Sequence, residues 1–196
     1  EKPIVAIYST FLQRGYDQVI HDVSLEGLDV VFAIDRAGLV GADGMTHQGV
    51  YDLAYLRPVP GLTIAAPKDA RELRSLLRGA IERGGPVAVR WPRGGVDPAP
   101  DEAVPVWEDV AWGTWERLKP GSDVAILAFG ATLPYALTAA GQDPGVGVVN
   151  ARFIKPLDTE MLDALLAAGT PLVTVEDHML AGGFGAAVAE HLTDAG

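Results

Sequence analysis

Short apolar runs recur along this chain at 4–7, 30–34, 62–66, 87–90, 124–129, 146–150 and 172–176, and helical patterns separate most of them. Runs of this length, rich in Val, Ile and Ala and bounded by turn residues, read as buried strands. Strands that alternate with helices need crossovers, and crossovers of a single hand build parallel sheets. The expected fold is α/β, with two consecutive doubly wound, mainly parallel sheets. The series is interrupted once. Residues 97–105 carry three prolines, three acids and no apolar periodicity, the composition of a linker. This predicts a first domain over 1–95, a linker over 96–105 and a second domain over 106–196.

The helical segments carry their own signals. Phe11, Leu12, Tyr16, Val19, Ile20 and Val23 fall at near-helical spacing, with Ser9 or Thr10 as candidate N-cap. The pattern leaves two readings of Phe11: a staple that packs the helix on the core, or an aromatic presented at a strand-to-helix turn. His21, further along, reads as structural. A short helix is expected within 49–56, ahead of Pro58. Asp69 stands at the head of a helix with the apolar stripe Leu73, Leu76, Leu77, Ala80 and Ile81, and Asp158 at the head of another. Trp107, Trp112 and Trp115 fall in a strand-like or loop segment ending near Lys119. Gly182-Gly183-Phe184-Gly185 leads into a last helix over 186–192.

One loop concentrates the chemistry. After the strand at 30–34 comes Asp35-Arg36-Ala37-Gly38-Leu39-Val40-Gly41-Ala42-Asp43-Gly44-Met45-Thr46-His47-Gln48-Gly49. Ligands of open parallel sheets bind beyond the carboxyl ends of the strands, where this loop is placed. Its glycines allow close backbone approach, and a loop of this length is a functional element or a disordered one. Arg93 follows the strand at 87–90 and shares that edge if the strands are parallel. Arg90 reads equally well as a salt-bridged strand residue.

Composition removes several classes of function. The formal net charge of −11 argues against a nucleic-acid partner, although one or two arginines in a cleft can hold a small phosphorylated ligand. There are no cysteines, so thiol chemistry and thiolate metal sites are excluded and a cytoplasmic setting is expected. No apolar run reaches membrane-spanning length. The chain lacks a phosphate-binding Walker loop and a Gly-x-Ser-x-Gly elbow. The glycines at 182–185 miss the dinucleotide spacing, since Val188 stands where Gly or Ala is required. Asp35, Asp43 and His47 could suggest a metal, but Arg36 among them disfavours a cation. Glu176-Asp177-His178 are adjacent and cannot all face one point.

Five stretches together carry a family resemblance: Tyr8-Ser9-Thr10-Phe11-Leu12-Gln13-Arg14, Asp35-Arg36-Ala37-Gly38, Asp43-Gly44-Met45-Thr46-His47-Gln48-Gly49, Arg90-Trp91-Pro92-Arg93-Gly94 and 150–158. They resemble the 1-deoxy-D-xylulose-5-phosphate synthase family of the thiamine-diphosphate-dependent transketolase superfamily. The Asp-Gly-x-Thr-His-Gln element alone gives the superfamily. The Tyr8–Arg14 and Asp35–Gly38 elements make the reading specific.

The resemblance implies a pyrimidine-binding domain followed by a transketolase C-terminal-like domain. It implies decarboxylative condensation of pyruvate with D-glyceraldehyde 3-phosphate, with thiamine diphosphate and Mg2+ as cofactors. By the same resemblance, Phe11 stacks on the aminopyrimidine, and Tyr8 and Asp43 line the site. His47 contacts the reacting oxygens and shuttles protons, a task suited to histidine. Arg36 and Arg93 clamp the triose phosphate with their planar forks. Two family features are absent: the Gly-Asp-Gly…Asn motif that holds magnesium and diphosphate, and the Glu that activates the aminopyrimidine. The chain is therefore expected to be a piece of a longer protein, with half a cofactor site and no metal site. An N-terminal part of the same enzyme and a second copy, forming a homodimer, are the expected partners. Two other readings stay open on the residues alone: a transketolase-type enzyme with another acceptor, and a non-catalytic anion-binding module.

Overall fold

The computed structural model describes residues 1–94 and 109–194. The linker expected at 96–105, and Trp107 with it, lie outside the described residues. The first half contains β1 (Ile4–Tyr8), β2 (Val31–Asp35), β3 (Thr63–Ala65) and β4 (Val87–Arg90), with helices α1 (Ser9–Leu12), α2 (Tyr16–Gln18), α3 (Asp52–Leu56) and α4 (Ala70–Arg83) between them. The second half contains β5 (Glu116–Lys119), β6 (Val124–Ala128), β7 (Val146–Asn150), β8 (Phe153–Lys155) and β9 (Leu172–Val175), with α5 (Leu133–Ala140), α6 (Thr159–Ala167) and α7 (Phe184–Asp194). None of the helices is long and apolar enough to cross a membrane, among the described residues.

The strands form two sheets, ordered β1-β2-β4-β3-β8 and β5-β7-β6-β9. The pairs β1–β2, β2–β4, β3–β4, β6–β7 and β6–β9 are parallel, while β3–β8 and β5–β7 are antiparallel. The doubly wound, mainly parallel architecture expected from the alternation of elements is the one found. The continuous apolar run of β2 has a direct cause. It is flanked by a strand on each side and covered on both faces, so Val31, Phe32, Ala33 and Ile34 are all buried. Asp69 caps α4 by accepting the Glu72 amide at 2.8 Å, and Asp158 caps α6 by accepting that of Met161 at 2.9 Å.

Three expectations are corrected. First, the run at 4–7 is not a buried strand. Among the described residues β1 lies at the edge of its sheet, paired with β2, and Ile4 and Val5 are 53% and 37% exposed. Second, neither Ser9 nor Thr10 is an N-cap. The chain turns into α1 directly from the strand, so Tyr8 takes the cap position with extended backbone and Ser9 is already helical. The Thr10 hydroxyl instead donates to the carbonyl of Thr46 at 3.1 Å. Third, the pattern over 11–23 is not one regular helix. A 3-10 turn at Gln13–Gly15 follows α1, and a π-helical stretch at Val19–Ser24 follows α2. Gly15, which costs a helix interior stability, marks the first break. Phe11 is half exposed and so does not staple the helix to the core.

Strand β8 has no counterpart among the expected elements. It follows β7 after two residues and crosses to the first sheet, where Ile64 faces Lys155 and Ala65 faces Phe153. The Lys155 ammonium donates to the carbonyls of Arg57 and Val59. Arg152 bonds the buried Glu72 at 3.2 Å, and the Asn150 amide donates to the same carboxylate at 3.1 Å. Trp115, Phe129, Phe153 and Phe184 share one continuous core with Ile34, Leu53, Ile64 and Val89. The two halves are thus packed as a unit.

Within this core lies a buried ion pair. Arg90 on β4 bonds Asp52 at the start of α3 at 2.8 Å, with the two side chains 4% and 0% exposed. Removing one partner of such a pair leaves an uncompensated buried charge. Asp52→Ala is therefore expected to lower stability by about 3–5 kcal/mol. Replacing both residues with apolar side chains of similar volume should recover most of that loss. Urea denaturation of the single and double variants checks both outcomes.

Candidate functional site

The parallel register assembles the site. Tyr8 stands opposite Asp35 across β1–β2, and Ile34 stands opposite Arg90 across β2–β4. All three strands therefore end at one edge, and the residues that follow them meet there. After β2 the chain turns sharply. Arg36 has φ 58, the left-handed region that non-glycine residues seldom adopt, and it is the sole such residue among those described. The Asp35 carboxylate supports this turn by accepting the Arg36 amide at 2.7 Å and its guanidinium at 2.6 Å.

The loop that follows closes on itself. Gly38 and Gly49 exchange two backbone hydrogen bonds of 2.7 and 2.8 Å. A Cβ at Gly49 would lie 2.1 Å from the carbonyl oxygen of Arg36, so only glycine fits there. Gln48 braces the interior of the loop. Its oxygen accepts the Val40 amide, and its nitrogen donates to the carbonyls of Val40 and Gly44, each at 2.8 Å. His47 is held at Nδ1 by the Thr46 hydroxyl, 2.9 Å away.

All six candidate residues form one contiguous cluster. The Arg36 guanidinium lies 3.8 Å from the centre of the Tyr8 ring, a cation–π contact. Tyr8 stacks on Phe11 at 5.2 Å, and Phe11 meets His47 edge-on at 5.3 Å. Asp43 joins the two arginines, with one oxygen 2.7 Å from Arg36 Nε and the other 3.0 Å from Arg93 Nε. Both guanidinium groups thus converge on one carboxylate. Arg93 is not buried, since its side chain is 44% exposed. Arg90 points the other way, into the core ion pair with Asp52.

Charge tunes the cluster. The hydrogen bond from Arg36 holds the Asp43 carboxyl below the usual aspartate value of 3.8; burial opposes this, and the charges of Arg93, Arg36 and His47 add to it. The same bond raises the Arg36 guanidinium above its ordinary value. No group of three His, Cys, Asp or Glu residues that could hold a metal ion occurs among the described residues. The trio Glu176-Asp177-His178 fans out. Glu176 accepts the amides of Phe184 and Gly185, Asp177 faces Gly38, and His178 accepts the amide of Leu53.

Several contributors escaped the sequence reading. Asp35 was weighed only as a metal ligand and Gln48 only as a member of a motif, although a lone amide in a glycine-rich loop has backbone groups to satisfy. Ser9, expected as a candidate N-cap, is instead buried beside the cluster with a hydroxyl that has no partner. Asp177 and His178 are distant in sequence, and only the docking of the second half brings them here.

Residues 1–98 match the transketolase pyrimidine binding domain, and residues 113–196 match the transketolase C-terminal domain. The chain is 67% identical over 195 residues to a 1-deoxy-D-xylulose-5-phosphate synthase of Thermus thermophilus, a match covering 100% of this chain and 31% of that protein. It is 54% identical over 198 residues to a synthase of the same name from Polaromonas sp., covering 100% of this chain and 30% of the relative. The chain thus spans about a third of the length of these curated relatives. Among solved structures, a split-gene transketolase described as an inactive beta4 tetramer superposes with a TM-score of 0.84 at 31% identity, covering 98% of this chain and 63% of that one. Transketolase from Leishmania mexicana shares the fold, with a TM-score of 0.72 at 24% identity over 90% of this chain and 27% of that one.

The depressed Asp43 value has a definite sign. Its contribution to the folded loop is complete above the ordinary aspartate value and is lost as pH falls through the lower, folded one, because the unfolded chain binds the proton first. In an acid titration followed by the Nε signals of Arg36 and Arg93, the midpoint is expected below 3.8. Asp43→Asn should abolish the transition at Arg93. A midpoint at or above the ordinary value would contradict the assignment.

Proposed function

The chain belongs to the transketolase family, and from that premise we propose that it is the pyrimidine-binding and C-terminal part of a 1-deoxy-D-xylulose-5-phosphate synthase. Such an enzyme joins the two-carbon unit left by decarboxylation of pyruvate to the aldehyde of D-glyceraldehyde 3-phosphate. The observation that carries the reading is the convergence of Arg36 and Arg93 on one carboxylate, beside the Tyr8–Phe11–His47 aromatic row. The similarity to synthases extends along the whole chain, which favours this reading over another acceptor or a non-catalytic module.

The residues at the site suit a thiamine cofactor. Phe11 is half exposed and offers an aromatic face to a flat heterocycle, while Tyr8 supports it from behind. The unpartnered Ser9 hydroxyl adds a buried polar atom beside this platform. Thiamine diphosphate, when bound, supplies the electron sink that lets pyruvate lose carbon dioxide and its remainder act as a nucleophile. His47 is the residue we assign to proton movement at the reacting oxygens, positioned by Thr46 and by the edge of Phe11. Asp43 keeps the two guanidinium groups together and shares them with the acceptor phosphate. A planar fork recognises phosphate and carboxylate oxygens alike, so a pair of arginines that grips Asp43 has the shape to grip a phosphate.

We place the cofactor diphosphate and Mg2+ on an N-terminal part of the same enzyme. Leu39 and Met45 on the site loop are 71% and 90% exposed, an apolar rim suited to such a covering surface. A homodimer in the cytoplasm completes the proposal.

Loss of the Arg93 fork should weaken acceptor recognition. Its partial exposure puts the effect near the lower end for a charge-assisted pair, about 2 kcal/mol. That corresponds to roughly 30-fold in kcat/KM for glyceraldehyde 3-phosphate. Arg93→Ala in the complete enzyme is expected to raise the KM for that substrate and to leave the KM for pyruvate nearly unchanged. Arg93→Lys should recover part of the loss. Steady-state kinetics with each substrate varied in turn is the test, and an equal loss for both substrates would remove Arg93 from the phosphate site.

A further inference from the structure

The turn between β9 and α7 reaches across from the second half and touches the site loop and the start of α3 with three successive residues. The Asp177 carboxylate occupies the space beside Gly38, where a built Cβ would lie 1.8 Å from Oδ2. His178, whose side chain is fully buried, accepts at Nε2 over 3.1 Å the Leu53 amide, which also donates to Asp52 Oδ1 over 2.9 Å, and donates from Nδ1 to the Met179 carbonyl over 2.9 Å. The Met179 amide donates to the Val50 carbonyl at 3.1 Å. These contacts fall at or just beyond the two ends of the loop that Gly38 and Gly49 close, the loop that carries Asp43 and His47.

The same turn is itself held rigidly. Glu176 accepts the amides of Phe184 and Gly185 at 2.7 and 2.9 Å, tying the turn to the first residues of α7. Arg57 donates to the carbonyls of Gly182 and Gly183 at 2.9 and 3.0 Å. His178 Nε2 also lies 3.5 Å from Asp52, the carboxylate that bonds Arg90. Arg90 precedes Trp91, whose carbonyl accepts the Ala37 amide at 2.9 Å. One turn of the second half thus supports the backbone under both Arg36 and Arg93.

We propose that Asp177 and His178 are positioning residues, which hold the site loop in register from outside the site and touch no substrate. The proposal rests on the synthase reading for its kinetic consequence only. Its structural core is that the start of α3 and the glycine corner at Gly38 are each met by a side chain from the second half, His178 sharing the Leu53 amide with Asp52 and Asp177 packing against Gly38.

The test uses the complete enzyme with His178→Ala, His178→Gln and Asp177→Ala. Gln places an acceptor near the position of Nε2, and Ala does not. Hydrogen exchange read by mass spectrometry over residues 36–53 is the measurement that does not require turnover. In His178→Ala and Asp177→Ala, exchange in this segment is expected to rise about tenfold, while β2 and β4 stay protected. His178→Gln should restore protection to within about threefold of the parent. Kinetically, kcat should fall about tenfold in both alanine variants and be rescued in His178→Gln, with the KM for pyruvate little changed. Unchanged exchange in 36–53 overturns the proposal, and so does increased exchange with unaltered kcat. Activity that tracks the midpoint of thermal unfolding alike in Ala and Gln variants, without rescue, also overturns it. If the parent enzyme fails to turn over pyruvate and glyceraldehyde 3-phosphate, the synthase reading falls, and the exchange data still decide whether the turn holds the loop.

Discussion

The buried pair between Arg90 and Asp52 is the interaction around which the rest is arranged. A guanidinium and a carboxylate with almost no solvent contact are tolerable only when paired. That requirement joins the carboxyl end of β4 to the first residue of α3. It also brings in His178 of the second half, at 3.5 Å from the same carboxylate. A strand end, a helix start and a distant turn are tied at one point. The site loop runs from β2 to α3, so both its anchors are defined by elements that this pair helps to hold.

The parallel register performs the complementary task. Because β1, β2 and β4 pair in step, Ile7, Ile34 and Arg90 lie in a row across the sheet, and Tyr8 and Asp35 stand side by side one residue further on. Residues that follow a strand end inherit that row. Arg36 and Arg93, fifty-seven positions apart, reach the same carboxylate without either strand bending. The strained φ of Arg36 is the local consequence. The turn after β2 leads into the loop that Gly38 and Gly49 close, and Asp35 supports it with two hydrogen bonds. Strain of this kind is commonly stored where side chains must be aimed.

The partition between halves is less sharp in space than along the chain. β8 lies within the second half in sequence, yet it extends the first sheet and carries Phe153 and Ile154 into the shared core. A polar seam of Glu72, Asn150 and Arg152 accompanies it. Support for the site from the β9–α7 turn is the functional side of this continuity.

The alternation of apolar runs and amphipathic segments was sufficient for the α/β class and for most strand positions, because buried parallel strands are apolar throughout. Helix caps at Asp69 and Asp158 were legible because a cap is a local interaction. The six site residues were legible as motif members near strand ends. Their convergence was decided by register, which depends on pairings between strands far apart in the chain. The exposure of Ile4 and Val5 was decided by the edge position of β1, which apolar content cannot reveal. β8 was invisible because three residues carry no periodicity, and its place comes from its pairing with β3. The roles of Asp177 and His178 belong wholly to the tertiary structure, since the groups they touch are more than a hundred residues away.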